Sequence, residues 1–159
     1  ASRSLYGAGP DSDSIRHCFK ILKRYIQAGP ILELGPAEGH MTDLLVGLEQ
    51  PLTCVDGSRA FCDIVARRHP QIEVVHSLFE DFRPRGQYNS IILGHVLEHV
   101  ENPVQILDTV RPWLAPGGRI MAAMGSPGGV TAQNCYVIPS PEDSRAGIMH
   151  SLAEWVEHT

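Results

Sequence analysis

An acidic residue and two glycines stand where a run of apolar residues ends. Residues 31–40 read ILELGPAEGH, so Glu33 closely precedes Gly35 and Gly39. A glycine turn between a buried strand and a helix brings backbone N–H groups close to a ligand, and such turns often hold phosphate. A carboxylate at Glu33 would repel phosphate and would attract a ligand that carries positive charge. The pattern therefore indicates a site for a cationic ligand without phosphate.

The turn departs from the glycine pattern of dinucleotide-binding proteins. It reads GPAEG, and Ala37 stands where a second glycine would let the backbone approach a pyrophosphate. Ala37 and Glu33 together disfavour a nicotinamide-dependent oxidoreductase. The alternative interpretation of Gly35 and Gly39 is that they only allow a strand to pack tightly against a helix.

A second acidic residue follows the next apolar run. Asp56 lies 56 − 35 = 21 residues after Gly35, close to the spacing at which an acidic residue reaches the ribose hydroxyls of a nucleoside. The alternative is that Asp56, in the segment VDGS, only forms a turn. Strand, Glu33, glycine turn, helix, strand and Asp56 in this order favour a nucleoside ligand.

Apolar runs alternate with segments of helical spacing, which predicts a doubly wound α/β fold with a mostly parallel sheet and helices on both faces. The N-terminal helix is predicted over residues 12–28 and the core over 30–124. The predicted strands are 31–34, 52–55, 72–75, 90–93 and 119–124. In such a sheet ligands bind at the carboxyl ends of the strands, where Glu33 and Asp56 fall.

The same segments resemble the successive motifs of a known family. They are ILELGPAEGHMT, LTCVDGS, FEDF, IILGHVLEHVENPVQIL and PWLAPGGRI. They are similar to class I S-adenosylmethionine-dependent methyltransferases, in the branch that includes the ubiquinone-biosynthesis O-methyltransferases. The resemblance covers residues 31–124 and implies the Rossmann-like methyltransferase fold, without the strand pair that ends the family's domains. It also suggests that residues 150–159 form the helix after the fifth strand.

The resemblance also implies which residues hold the cofactor, S-adenosylmethionine. The turn would hold the methionine part, the second strand end the ribose, the third strand end the adenine, and the fourth strand end the amino acid part through backbone groups. In that order the residues are Glu33, Gly35, Ala37 and Gly39; Asp56 and Gly57; Ser77, Leu78 and Phe79; Leu93 and Gly94. Neither Ser77 nor Leu78 is the Asp that often meets the adenine amine in this family.

His95 follows the fourth predicted strand and is the candidate catalytic residue. Histidine can take a proton from a hydroxyl or amine near neutral pH, although His95 could instead only line the pocket. His95, Glu98 and His99 form the spacing His-x-x-Glu-His, which could hold a divalent metal. A helix cap or a structural hydrogen bond is the favoured interpretation, so no metal is expected.

Composition narrows the function class further. The chain has 159 residues and a formal net charge of −5, which predicts a single domain, residues 1–159, with no general attraction to nucleic acid or membrane surfaces. Four cysteines without CxxC spacing predict free thiols and a cytoplasmic location. Residues 125–150 are rich in turn residues and are predicted to include a substrate lid.

These observations predict a methyltransferase that uses S-adenosylmethionine and moves a methyl group to an O or N nucleophile of a small molecule, leaving S-adenosylhomocysteine. The sequence leaves open the acceptor, which is expected to contact residues 1–13 and 125–150, and the oligomeric state. The alternatives are an NAD(P)-dependent oxidoreductase and a binding module of the same fold that has lost catalysis.

Overall fold

The computed structural model describes residues 10–124 and 135–140. Within them the strands are β1 (Ile31–Leu34), β2 (Leu52–Asp56), β3 (Glu73–His76), β4 (Tyr88–Gly94), β5 (Leu114–Ala123) and β6 (Cys135–Pro139). The α-helices are α1 (Pro10–Leu22), α2 (His40–Val46), α3 (Arg59–Arg68) and α4 (Pro103–Val110), and short 3-10 helices span Leu97–His99 and Arg111–Trp113.

The strands form one sheet in the order β3-β2-β1-β4-β5-β6. Strands β1 to β5 pair in parallel and β6 pairs antiparallel with β5. The chain winds outward from β1 to β3 and then returns to the other side of β1 with β4. The prediction of a doubly wound, mostly parallel sheet is confirmed, and β1 and β4 meet at the point where the strand order reverses.

Apolar side chains cover both faces of the central strands. Every residue of β1 and β2 is buried. On one face Leu32 and Leu34 belong to the same apolar cluster as Leu107 of α4. On the other face Ile31 packs in a cluster with residues of α1 and α2, among them Leu22 and Leu45. Glu33 therefore lies on the face of β1 that α1 and α2 cover.

Most element boundaries agree with the sequence analysis to within two residues, and two differ by five residues or more. Helix α1 ends at Leu22, although helical spacing predicted an end at residue 28. The last turn tightens, because the Tyr25 N–H donates to the Leu22 carbonyl at 2.8 Å, and the Gln27 N–H then donates to Ser90 Oγ at 2.9 Å. The bond to β4 takes this backbone out of the helix. Strand β5 begins at Leu114, five residues before the predicted start (119 − 114).

The predicted substrate lid, residues 125–150, contains a regular element. Strand β6 lies inside it, with Cys135 opposite Ala123 and Pro139 opposite Arg119 of β5. One antiparallel strand thus follows β5, although the terminal strand pair of the family was not expected. Residues 125–134 and 141–149, and the predicted helix at 150–159, lie outside the described residues. No helix in the described part of the chain is long and apolar enough to cross a membrane.

Candidate functional site

The predicted ligand-binding residues meet at one edge of the sheet. In the parallel register, Leu34 of β1 pairs with Val55 of β2 on one side and with Leu93 of β4 on the other. The glycine turn follows Leu34, Asp56 follows Val55, and Gly94 follows Leu93. Because neighbouring strands lie about 4.8 Å apart, the structure brings these three groups together at the switch in strand order.

The turn between β1 and α2 has an unusual backbone. Gly35, Ala37 and Gly39 have φ angles of 68°, 48° and 82°, in the left-handed region that favours glycine. A Cβ atom on Gly35 would lie 2.6 Å from Val96 Cγ2, so only glycine fits there without movement. Ala37 adopts the left-handed conformation as a non-glycine residue, which predicts that surrounding contacts hold it in place.

Asp56 supplies that contact. Its Oδ2 accepts a hydrogen bond from the Ala37 N–H at 3.2 Å, and its Oδ1 accepts one from the Ser58 N–H at 2.7 Å. The side chain is at the end of β2 and the residue is 8% exposed. Each carboxylate oxygen has a second lone pair, so Asp56 can bind the turn and still accept hydrogen bonds from a ligand's hydroxyl groups.

Glu33 lies beneath the turn. Its Oε2 accepts hydrogen bonds from Thr42 Oγ1 at 2.6 Å and from Cys54 Sγ at 3.3 Å, and the residue is 1% exposed. Burial raises the pKa of the Glu33 carboxyl to about 7, and the two hydrogen bonds only partly oppose this rise. Near neutral pH the carboxyl is therefore only partly ionised, and its hydrogen-bond partners lie on α2 and β2.

The end of β3 forms a wall beside Asp56. The Ser77 N–H donates to the Asp56 carbonyl at 3.0 Å. Leu78 is 59% exposed, and its Cδ2 would lie 3.1 Å from a Cβ atom on Gly57. Phe79 is partly buried against the core, with Cζ 3.7 Å from the place of a Cβ on Gly35. An exposed apolar side chain next to a carboxylate suits a ligand with both a flat ring and hydroxyl groups.

The fourth strand end holds the candidate catalytic histidine. Leu93 is fully buried and Gly94 ends β4. His95 has φ 56°, and its N–H donates to the Ala123 carbonyl at 2.7 Å. Its Nδ1 lies 3.2 Å from Glu98 Oε1. The hydrogen bond to Cys18, followed by that to Glu98, raises the pKa of His95 to about 9. The imidazole is therefore charged at neutral pH and can accept a proton only in more basic solution.

His95 and Glu98 contact each other, and the His99 N–H donates to the Val96 carbonyl at 3.0 Å within a 3-10 turn. Across residues 10–124 and 135–140, no group of three or more His, Cys, Asp or Glu side chains is arranged to hold a metal ion.

The sequence analysis missed two residues that support the turn. Thr42 is buried in α2 and binds Glu33, and Arg68 of α3 donates from Nη1 to the Glu38 carbonyl at 2.9 Å and to Asp43 Oδ2 at 3.1 Å. A hydroxyl between Met41 and the apolar Leu45 on α2 was the available signal for Thr42. Nothing local in the sequence points to Arg68, since its bond to Glu38 spans 30 residues.

Comparison with protein families identifies the class of protein that this fold and site define. The model of a methyltransferase domain family matches residues 12–130, about three quarters of the 159 residues. The chain belongs to this methyltransferase domain family. The class I methyltransferase resemblance is thus confirmed, while the ubiquinone-biosynthesis branch is not.

Solved structures share the fold at low sequence identity. The N-methyltransferase NodS from Bradyrhizobium japonicum WM9, solved with S-adenosylhomocysteine, is 20% identical with a TM-score of 0.65, covering 74% of this chain and 63% of NodS. DhpI, in the DhpI-SAM-HEP complex, is 22% identical with a TM-score of 0.66, and the match covers 76% of this chain and 58% of DhpI. The PH0226 protein from Pyrococcus horikoshii OT3 is 18% identical with a TM-score of 0.68, and the match covers 77% of this chain and 57% of PH0226.

In each of these three comparisons the chain spans less than two thirds of the other protein's length. At these identities the likeness shows the fold. A comparison with curated protein sequences gives no match.

Proposed function

We propose that the chain is an S-adenosylmethionine-dependent methyltransferase that moves a methyl group to an O or N nucleophile of a small molecule and leaves S-adenosylhomocysteine. The observation that carries the proposal is the Asp56 carboxylate, which accepts the N–H of Ala37 in the left-handed turn and has lone pairs left to accept hydrogen bonds from the hydroxyl groups of a nucleoside. Family membership supports the activity, and the NodS and DhpI complexes support the cofactor.

The shape of the strand ends fits this cofactor. A Cβ atom on Gly35 would strike Val96, so glycine at this position lets Val96 and the turn pack closely at the end of β1. We assign the methionine part to Glu33, Gly35, Ala37, Gly39, Leu93 and Gly94, the ribose to Asp56 and Gly57, and the adenine to Ser77, Leu78 and Phe79. The exposed Leu78 offers an apolar surface for a flat ring, beside the carboxylate that would bind the ribose.

Charge favours this cofactor over a phosphate-bearing one. A buried carboxylate at Glu33 attracts an ammonium or sulfonium group and repels phosphate. The raised pKa of Glu33, about 7, means that near neutral pH the free protein holds this proton part of the time. A cationic ligand favours the ionised form, so its binding releases a fraction of a proton.

The cofactor supplies a methyl group that its sulfonium already activates. The protein has to bind the donor and the acceptor in line and to exclude water, and positioning of this kind lowers a barrier by several kcal/mol. His95, on the rim of the same edge, is the proposed proton acceptor. Its pKa of about 9 requires that it first lose a proton, so a base role predicts a rate that rises with pH toward that value.

The acceptor is proposed to be a small molecule and the location cytoplasmic. The net charge of −5 supports the small-molecule acceptor, since it offers no general attraction to nucleic acid or anionic lipid. The four free cysteines support the location, since thiols stay reduced in the cytoplasm. An acceptor like that of the ubiquinone-biosynthesis branch is one candidate for the screen described next. The segments expected to contact the acceptor lie mostly outside the described residues.

Calorimetric titration tests the cofactor. We expect S-adenosylhomocysteine to bind and NADH not to bind. Asp56→Ala should weaken the binding of S-adenosylhomocysteine by about 1.5–3 kcal/mol, which is the value of a charge-assisted hydrogen bond. The matched control is Asp63→Ala, which removes an exposed carboxylate paired with Arg59 on α3 and should leave affinity unchanged. Binding of NADH without S-adenosylhomocysteine would refute the proposal.

A panel of small hydroxyl and amine acceptors with labelled S-adenosylmethionine tests the reaction. Labelled product from at least one acceptor is the expected result, and its chemistry decides between O and N. Tight cofactor binding with no methyl transfer to any acceptor would instead favour the binding module that has lost catalysis.

A further inference from the structure

Two cysteines that are 117 residues apart in the sequence meet beside β5. Cys18 is fully buried on α1, and Cys135, which is half-buried, is the first residue of β6. The Cys135 thiol donates to the Cys18 sulfur at an Sγ–Sγ distance of 2.8 Å, and both thiols are free. From this contact we propose a modification site, at which a peroxide converts Cys18 and Cys135 into a reversible disulfide.

The pair lies next to the rim of the candidate active site. Cys135 is the antiparallel partner of Ala123, and the Ala123 carbonyl accepts the hydrogen bond from the His95 N–H at 2.7 Å. Cys18 lies close enough to His95 to change the pKa of its imidazole. A bond between the sulfurs would therefore join α1 to β6 and change the immediate surroundings of His95.

The protonation of the pair suits this reaction. The hydrogen bond from Cys135, together with the neighbouring His95, lowers the pKa of the Cys18 thiol to about 5 against the opposing effect of burial. Cys18 is therefore a thiolate at neutral pH, while the same hydrogen bond raises the pKa of Cys135. A thiolate in contact with a second sulfur is the arrangement that captures an oxidised cysteine before it reacts further.

The other two cysteines are differently placed. Cys54 is buried and donates its thiol hydrogen to Glu33, and Cys62 donates to the Asp56 carbonyl. Burial raises the pKa of both thiols, which keeps them protonated and poorly reactive. Oxidation is therefore expected to be selective for Cys18 and Cys135.

The proposed reaction needs one hydrogen peroxide molecule for each disulfide. The Cys18 thiolate attacks a peroxide oxygen, the O–O bond breaks, and the released hydroxide takes the thiol proton of the neighbouring Cys135 and leaves as water. The Cys135 thiolate formed in this way then attacks the sulfenic sulfur of Cys18, the S–O bond breaks, and the hydroxide takes up a proton to leave as a second water. The two sulfurs lose two electrons in total, which the peroxide gains, and a small dithiol returns both thiols.

Thiol counting on the full chain tests the proposal. After treatment with hydrogen peroxide, quenching and denaturation, we expect a thiol reagent to find that two of the four thiols of the wild type are lost and that dithiothreitol restores them. Peptide mapping by mass spectrometry should show one linked pair that contains residues 18 and 135. The matched variants are Cys135→Ser, which should form no linked pair and lose at most one of its three thiols, and Cys62→Ser, which should lose two of three.

Peptide mapping of the wild type decides the question even where a variant fails to fold. Retention of all four thiols, or a linked pair that includes Cys54 or Cys62, would overturn the proposal. Equal thiol loss in Cys135→Ser and in the wild type would also overturn it.

Discussion

Replacement of Glu33 by glutamine should change how the stability of the protein depends on pH. Glutamine has the shape of the protonated acid and can keep accepting the hydrogen bonds from Thr42 and Cys54. Burial raises the pKa of Glu33 from 4.5 to about 7 in the folded protein. Between these two pH values the folded state holds a proton that the unfolded chain has lost.

The sign and size of the effect follow from this difference. The stabilising contribution of the protonated carboxyl is fully present below about pH 4.5 and is lost as the pH rises through about 7. Each unit of pKa shift corresponds to about 1.4 kcal/mol, so the whole effect is about 3 kcal/mol. Glu33→Gln should therefore match the wild type near pH 4.5 and exceed its free energy of unfolding by up to about 3 kcal/mol at pH 8.

Urea unfolding without cofactor at a series of pH values measures this difference directly. The matched control is Glu73→Gln on β3, where an exposed carboxylate also accepts a hydrogen bond from a threonine, Thr53 Oγ1, at 3.1 Å. We expect the control to differ from the wild type by less than about 0.5 kcal/mol at every pH. A stability difference between Glu33→Gln and the wild type that is the same at pH 5 and pH 8 would refute the argument.

The same variant tests the role of the charge in binding. Adenosine lacks the ammonium and sulfonium groups, so Glu33→Gln should weaken the binding of S-adenosylmethionine more than that of adenosine. Equal losses for the two ligands would mean that Glu33 acts only on the structure of the turn.

Three further changes are expected to have measurable effects. Gly35→Ala should cost about 1–3 kcal/mol in urea unfolding, because its Cβ would meet Val96 at φ 68°, whereas Gly117→Ala has similar φ (73°) but open space and should cost less. Asp56→Ala should weaken S-adenosylhomocysteine binding as described above, and unchanged affinity would show that Asp56 does not bind the ribose. His95→Gln should leave cofactor affinity nearly intact and lower turnover by roughly a hundred-fold or more, and the rise in rate toward pH 9 should be lost. If the variant keeps the rate and the pH profile of the wild type, His95 only lines the pocket.

Local patterns were enough to predict most of the sheet and the location of the site. Strands of a parallel sheet are buried on both faces, so they read as short apolar runs, and the predicted run 31–34 coincides with β1. Parallel strands also place their carboxyl ends at one edge, so the chain order alone predicted that Gly35 and Asp56 would lie close together. The structure adds that a hydrogen bond from the Ala37 N–H to Asp56 Oδ2 connects the glycine turn to the end of β2.

The features that could not be predicted depend on contacts between distant segments. The early end of α1 follows a bond from Gln27 to Ser90, which are 63 residues apart. The raised pKa of His95 depends on Cys18, which lies on a different element, whereas the sequence analysis expected proton transfer near neutral pH. Turn-rich composition in 125–150 predicted a lid, but pairing with β5 makes Cys135–Pro139 a strand. Local propensity carries no information on such contacts.

Asp56 connects the stability of the site to its proposed function. The carboxylate that would bind the ribose already holds Ala37 in a left-handed conformation and accepts the Ser58 N–H at the start of α3. The turn is therefore formed before any ligand arrives, and a ligand need not supply the free energy to order it. The same arrangement means that Asp56 cannot be removed without loosening the turn, so part of the affinity lost in Asp56→Ala comes from the loss of the bond that holds Ala37.

Glu33 lies next to that turn on β1, and its carboxyl group carries charge without being exposed in the cleft. In the proposed function the two carboxylates therefore have different roles, since Asp56 fixes the shape of the turn and Glu33 would favour a cationic ligand.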